Sequence, residues 1–191
     1  MSWIENLLIV AGASFDIFAA MECQGSLVRK VNKRQLTLIS LIVALWQLAA
    51  VYFGYFLSDM ICRKNPVSDE ALLGEIIAVV IFFCLGIRLM VKAIKNEYLV
   101  EHLESRLELK RFLKMTAATS IYTLLSGIAF GFLSTQLVPI LLMMVLFSVL
   151  FVVAGMYTGY HFGFEQKTKA YVVGAILLWV AGIDVIVRCV L

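Results

Sequence analysis

Proline and histidine are nearly absent, with two of each in 191 residues, and Asp, Glu, Lys and Arg together make up only 15% of the chain. So little charge excludes an intrinsically disordered chain, which stays unfolded through high charge and low hydrophobicity. It also excludes an ordinary soluble domain, in which about a quarter of the residues are charged. The two histidines, His102 and His161, have no companion at ligand spacing. The four cysteines, Cys23, Cys62, Cys84 and Cys189, form no CxxC or Cys/His pattern, so a thiolate or imidazole metal centre is not expected. No hydrolase, nucleotide-binding or phosphate-cradling motif occurs, and there is no case for an enzyme. The formal charge of +3 reflects loop composition and does not point to nucleic acid.

What the chain has in quantity is apolar sequence, 62% of all residues. A membrane-spanning helix needs about 20 mainly apolar residues. Six windows qualify, roughly 4–24, 36–58, 75–95, 114–134, 137–160 and 170–190, and they leave little chain for anything else. The expected fold is therefore all-α, a polytopic membrane protein of six transmembrane helices. The first window is too long and too lightly charged at its start for a secretory signal, and it is expected to stay in the mature protein.

Loop charge sets the orientation. Arg29, Lys30, Lys33 and Arg34 fill the first loop. Lys92, Lys95, Arg106, Lys110, Arg111 and Lys114 surround the third, and Lys167 and Lys169 lie in the fifth. Cytoplasmic loops carry an excess of Lys and Arg, so both termini are expected outside a bacterial-type inner membrane. Cys62 and Cys189 then fall toward the outer side, where nothing favours a bridge over two free thiols.

The two halves of the chain resemble each other. AGASFDIFAAMECQGSL (11–27) aligns without gaps on AATSIYTLLSGIAFGFL (117–133), YFGY (52–55) on YTGY (157–160), and GIRLMVKA (86–93) on GIDVIVRC (182–189). Small residues spaced by four, Ala50, Gly54 and Ser58, match Gly155, Gly159 and Gly163, which read as packing glycines. Three spans per half make the repeats inverted, an architecture in which the substrate site lies near midplane at the repeat interface. The predicted organisation is a first repeat over 1–95, a charged cytoplasmic connector over 96–113 and a second repeat over 114–191.

Within the spans the ionisable residues are Asp16, Glu22, Arg88 and Asp184, with Lys92 and Arg188 near helix ends. Asp16 is the leading candidate. Gly12, Ala13, Ala19 and Ala20 surround it at helical spacing, and small residues let helices approach closely in lipid. An intramembrane acid of this kind marks an ion or substrate path by default. Its own helix offers it no cation, so another helix or a transported ion must pair it. Ser14, Ser120 and Gln47 would complete an all-oxygen set suited to Mn²⁺, Mg²⁺ or Ca²⁺ rather than zinc or copper. Protons would compete for the same carboxylate, which is the simplest chemistry for exchanging a cation against protons. Glu22 sits near the cytoplasmic mouth, and Asp184 has Arg188 four residues on to satisfy it within its own helix. At about 1.5 Å per residue, Arg88 lies at nearly the depth of Asp16, and it is the expected resident counter-charge of the empty site.

SFDIFAAMECQG (14–25) resembles the first-helix motif of the putative manganese efflux pump family, within the lysine-exporter superfamily. The GYFL end of the second span, LGIRLMVKAIK (85–95) and the ATSI opening of the fourth span are also similar, and the likeness covers nearly the whole chain. It implies a six-span exporter of Mn²⁺ or another divalent cation, with no permanently bound cofactor. Asp16, as metal ligand, and Gln47 and Arg88 fall on polar positions of the family. Where the family repeats its acid in the fourth span, this chain carries Tyr122, so one of two central carboxylates is replaced by a phenol. The expected function is outward transport of a divalent cation through a midplane aspartate, driven by the proton gradient or membrane potential. Its expected partners are the lipid bilayer, the transported cation and protons, with oligomerisation left open. The alternatives are export of amino acids or small cationic solutes, or a non-transporting membrane protein in which Asp16 and Arg88 form a structural pair.

Single-cysteine labelling tests the orientation. An impermeant maleimide added to intact cells is expected to label a cysteine at Thr135 and to leave cysteines at Asn32 and Thr168 unlabelled; the reverse pattern inverts the topology.

Overall fold

In the hydrocarbon of a bilayer no water satisfies backbone N–H and C=O groups, so each apolar run closes its own hydrogen bonds as a helix. A computed structural model of the chain has six helices in order: α1 (Trp3–Ser26), α2 (Lys33–Lys64), α3 (Glu70–Lys95), α4 (Leu109–Phe132), α5 (Leu137–Phe162) and α6 (Lys167–Val190). The structure describes residues 3–28, 33–64, 70–95, 109–133, 135–163 and 166–190, without the side chains of 62–64, 70–73, 109–115, 118 and 188–190. Most of the predicted connector, and the side chains of Cys62 and Cys189, lie outside the described residues. α4 is already helical from Leu109, inside the stretch assigned to the connector.

Among the described residues five helices, α1, α2, α3, α5 and α6, are long and apolar enough to cross a membrane, which makes the chain a polytopic membrane protein. α4 (Leu109–Phe132) carries Lys110, Arg111 and Lys114 in its first turns, and from Met115 to Phe132 its sequence has no charged residue. At about 1.5 Å per residue that stretch reaches roughly 27 Å, close to the thickness of a hydrocarbon core of about 30 Å.

The helix packing is symmetric under exchange of the first three helices for the last three. α1 packs on α5, α6 and α4; α2 packs on α4 and α5; α3 packs on α6 and α4. Exchanging α1, α2 and α3 for α4, α5 and α6 turns the α1–α5 contact into α2–α4 and the α1–α6 contact into α3–α4, and leaves α2–α5, α3–α6 and α1–α4 unchanged. The matched glycines do matched work. A Cβ at Gly54 of α2 would collide with the Leu124 carbonyl of α4, and one at Gly159 of α5 with the Glu22 carbonyl of α1. Gly163 differs from the expected packing role. It ends α5 with φ 69°, its N–H donates to the Gly159 carbonyl at 3.0 Å, and its α-carbon faces open space. A left-handed residue at the end of a helix is where glycine is favoured.

α1 is the most enclosed of the candidate spans. Around it the core collects Ile9, Val10 and Ala19 with Phe82, Leu85 and Leu89 of α3, Tyr122 and Phe130 of α4, Met144 of α5 and Leu178 of α6. α5 buries one stripe, Ile140, Met144, Ser148, Val152, Gly155 and Gly159, while Leu142, Leu146 and Leu150 face outward. Outward leucines suit lipid, where apolar exposure carries no penalty.

The close α1–α5 approach has a measurable consequence. Gly159→Ala is expected to lower the unfolding free energy by roughly 2–3 kcal/mol, because backbone opposes the new methyl group. Gly182→Ala meets side chains alone, the Phe83 ring at 3.2 Å and Phe82 Cβ at 3.6 Å, and is expected to change it by less than about 1 kcal/mol. Unfolding in mixed detergent micelles compares the two; equal effects would contradict the packing described.

Candidate functional site

α1 carries Asp16 into the centre of the bundle because the face it sits on is cut back to glycine and alanine. At Gly12, one turn before Asp16, an added Cβ would lie 2.9 Å from Leu178 Cγ and 3.2 Å from the Gly174 carbonyl of α6. Asp16 is 0% exposed. A carboxylate withdrawn from water in this way must be paired or hydrogen-bonded, and the partner comes from α3. Lys92 Nζ donates to Asp16 Oδ1 at 2.7 Å, with the lysine side chain 33% exposed. Asp16 Oδ2 has no hydrogen-bond partner among the described residues.

Two phenol rings complete the surroundings of the ammonium. Lys92 Nζ lies 4.5 Å from the ring centroid of Tyr122 and 5.6 Å from that of Tyr171. Both are within the range at which a cation is attracted to the negative face of an aromatic ring. Arg88, one turn earlier on α3, places its guanidinium carbon 4.9 Å from the centroid of Tyr122.

This arrangement corrects the expected counter-charge. Lys92, not Arg88, makes the ion pair with Asp16. Lysine has a compact ammonium on a flexible stem that reaches from near the end of α3, whereas the planar guanidinium of Arg88 stacks on an aromatic face. Arg88 is itself exposed. The sequence did carry a signal for Lys92, since residues four apart share a helix face and Lys92 follows Arg88 by four. Its nearness to a loop made it look like an orientation signal alone. Tyr171 had no signal beyond being a phenol in an apolar run.

The other candidate residues are distributed as follows. Glu22 is buried, and its Oε1 accepts from the backbone N–H of Gln166 at 2.8 Å, at the entry to α6. Its Oε2 has no partner among the described residues. Ser14 is turned roughly 200° from Asp16 on α1; its hydroxyl donates to the Val10 carbonyl at 2.7 Å and lies 3.9 Å from Met144 Sδ of α5. The Thr123 hydroxyl donates to Gln47 Oε1, joining α4 to α2. Ser120 Oγ accepts from Trp46 Nε1 and donates to the Thr116 carbonyl at 2.6 Å. Asp184 faces outward on α6, and the Arg188 side chain expected beside it lies outside the described residues. The oxygen set expected around Asp16 is therefore engaged elsewhere in this conformation. Among the described residues no group of three or more His, Cys, Asp or Glu side chains is placed to hold a metal. What the site holds is one carboxylate, one ammonium in contact with it, and aromatic faces.

Tyr122 is fully buried, and its hydroxyl has no partner among the described residues. Removing an unsatisfied buried hydroxyl relieves a desolvation penalty. Tyr122→Phe is expected to leave the unfolding temperature unchanged or to raise it, the equivalent of about 0–1 kcal/mol. A clear loss of stability in a detergent thermal melt would show that the hydroxyl is bonded.

A family model described as "Putative manganese efflux pump" matches residues 30–186. The chain is 29% identical over 178 residues to "Putative manganese efflux pump MntP" of Acetivibrio thermocellus, covering 93% of this chain and 87% of the relative. It is 27% identical over 188 residues to the protein of that name from Desulfitobacterium hafniense, covering 98% of this chain and 96% of the relative. A third, from Mannheimia succiniciproducens, is 22% identical over 188 residues, covering 98% and 97%. No solved structure matches. With four-fifths of its length under the family model and near end-to-end relatives in three bacteria, the chain belongs to the putative manganese efflux pump family.

Proposed function

We propose that the chain exports a divalent cation, manganese by its family, across a bacterial inner membrane, and that Asp16 is the carboxylate the ion meets at midplane. The observation that carries this reading is the complete burial of Asp16 in the most enclosed helix, with one carboxylate oxygen unpartnered among the described residues. Membership in a transporter family supports a non-enzymatic role. In this reading the cation enters from the cytoplasmic side past Glu22 and trades places at Asp16 with a proton or with the ammonium of Lys92. It leaves outward, driven by the proton gradient or the membrane potential. Both termini face outward in the same reading, on the loop charges.

One observation favours a second reading, export of small organic cations. A buried carboxylate flanked by phenol faces seats a primary ammonium, as Lys92 itself does. Cation–π contact suits such groups, whereas Mn²⁺ prefers oxygen ligands.

Cellular metal content separates the two. In a strain lacking its own manganese exporter, expression of the chain is expected to lower cell manganese after a manganese challenge. Asp16→Asn, at matched expression, is expected to reduce efflux roughly a hundredfold, corresponding to loss of a mid-membrane charge interaction of ~3 kcal/mol. Full manganese tolerance with Asp16→Asn rejects the site. Unchanged metal content with altered sensitivity to primary amines supports the second reading.

A further inference from the structure

The ion pair at Asp16 has a property that an ordinary structural salt bridge lacks, because its two members are unequally enclosed. Asp16 is fully buried, and an unpaired charge in that position is strongly unfavourable. The carboxylate must therefore either take up a proton or keep another cation beside it. Lys92 keeps a third of its side chain exposed, near the end of α3, and a long lysine stem can carry its ammonium toward the surface. The carboxylate cannot leave, and the ammonium can.

We propose that Lys92 is a selectivity-determining residue whose ammonium acts as a tethered cation, holding the transport site at Asp16 until an ion of higher charge displaces it. The inference rests on the reading of Asp16 as the ion site and adds to it a mechanism of selection. Asp16 Oδ2 has no hydrogen-bond partner among the described residues, so an arriving ion has an oxygen to engage while Lys92 still holds Oδ1. The rings of Tyr122 and Tyr171 border the ammonium along its course and keep it oriented toward the site. Competition then sorts ions by charge. A tethered group acts at an effective concentration that a free ion of equal charge and similar contact matches only at millimolar levels or above. Na⁺ and K⁺ are at that disadvantage. A divalent ion interacts with the carboxylate about twice as strongly at equal distance, and so it can displace the ammonium where a monovalent ion does not. The arrangement uses a lysine to impose divalent selectivity on a site with a single central carboxylate.

The test is Mn²⁺ binding to the purified full-length protein in detergent micelles, followed by the electron paramagnetic resonance of free Mn²⁺. Binding would be measured for the unaltered chain and for Lys92→Gln, Lys92→Arg, Asp16→Asn and the Asp16→Asn/Lys92→Gln pair, each checked for a monodisperse, cooperatively unfolding sample. Lys92→Gln is expected to bind Mn²⁺ at least roughly tenfold tighter, as removal of a tethered competitor requires, and to become sensitive to added Na⁺. Lys92→Arg, which keeps the charge, is expected to bind no tighter than the unaltered chain. Asp16→Asn is expected to abolish the gain in the paired variant. If Asp16→Asn abolishes binding but Lys92→Gln binds equally or more weakly, the ion site stands and the tethered-cation proposal is overturned. If none of the Lys92 variants binds Mn²⁺ in an Asp16-dependent way, the ion-site reading and the proposal fall together. Should Lys92→Gln not yield folded protein, Lys92→Met replaces it, with the same expected gain.

Discussion

A carboxylate inside an apolar bundle, with no access to water, constrains every element around it. Asp16 can stay ionised only if another helix delivers a positive charge to it. That requirement explains why α3 must extend to Lys92 and why α1 must be thin on the face that bears the acid. It also explains why the neighbouring helices present aromatic rather than aliphatic side chains beside the pair. Tyr122 of α4 and Tyr171 of α6 exclude water as leucines would, yet their ring faces tolerate an ammonium.

Holding that pair in place depends on helices that approach one another closely. In lipid there is no hydrophobic drive to press helices together, and backbone contact through small residues takes over much of the work. α1 seats on α5 at Gly159 and α2 on α4 at Gly54, so the two halves are interleaved rather than set side by side. Each half supplies helices to the surroundings of Asp16, with α1 and α3 from the first and α4 and α6 from the second.

Much of this was legible in the sequence because the bilayer makes few demands and makes them plainly. Length and apolarity reveal spans, and an aspartate at position 16 of an otherwise apolar run is conspicuous. The YFGY and YTGY correspondence likewise anticipated the matched glycine contacts. Three things were hidden, each for a physical reason. The partner of Asp16 depends on side-chain reach across helices, which depth along the axis does not report, and so Arg88 was expected where Lys92 is found. Ser14 and Asp16 are near in sequence but point to opposite sides of α1, so adjacency suggested a shared site that helical geometry forbids. Gly163 continued a spacing of four but lies past the last turn of α5, where a positive φ at the helix cap, not packing, calls for glycine. The family relationship, which the helix-1 motif suggested, extends over nearly the whole chain.

The burial of Asp16 bears on how the membrane voltage is felt. The carboxylate is fully enclosed, and its partner ammonium reaches it from near the end of α3. The electrical potential falls mainly across the low-dielectric layer, so a charge that moves between this carboxylate and the surface crosses part of that drop. At about 2.3 kcal/mol per elementary charge per 100 mV across the full drop, that placement lets resting voltage bias the occupancy of the carboxylate.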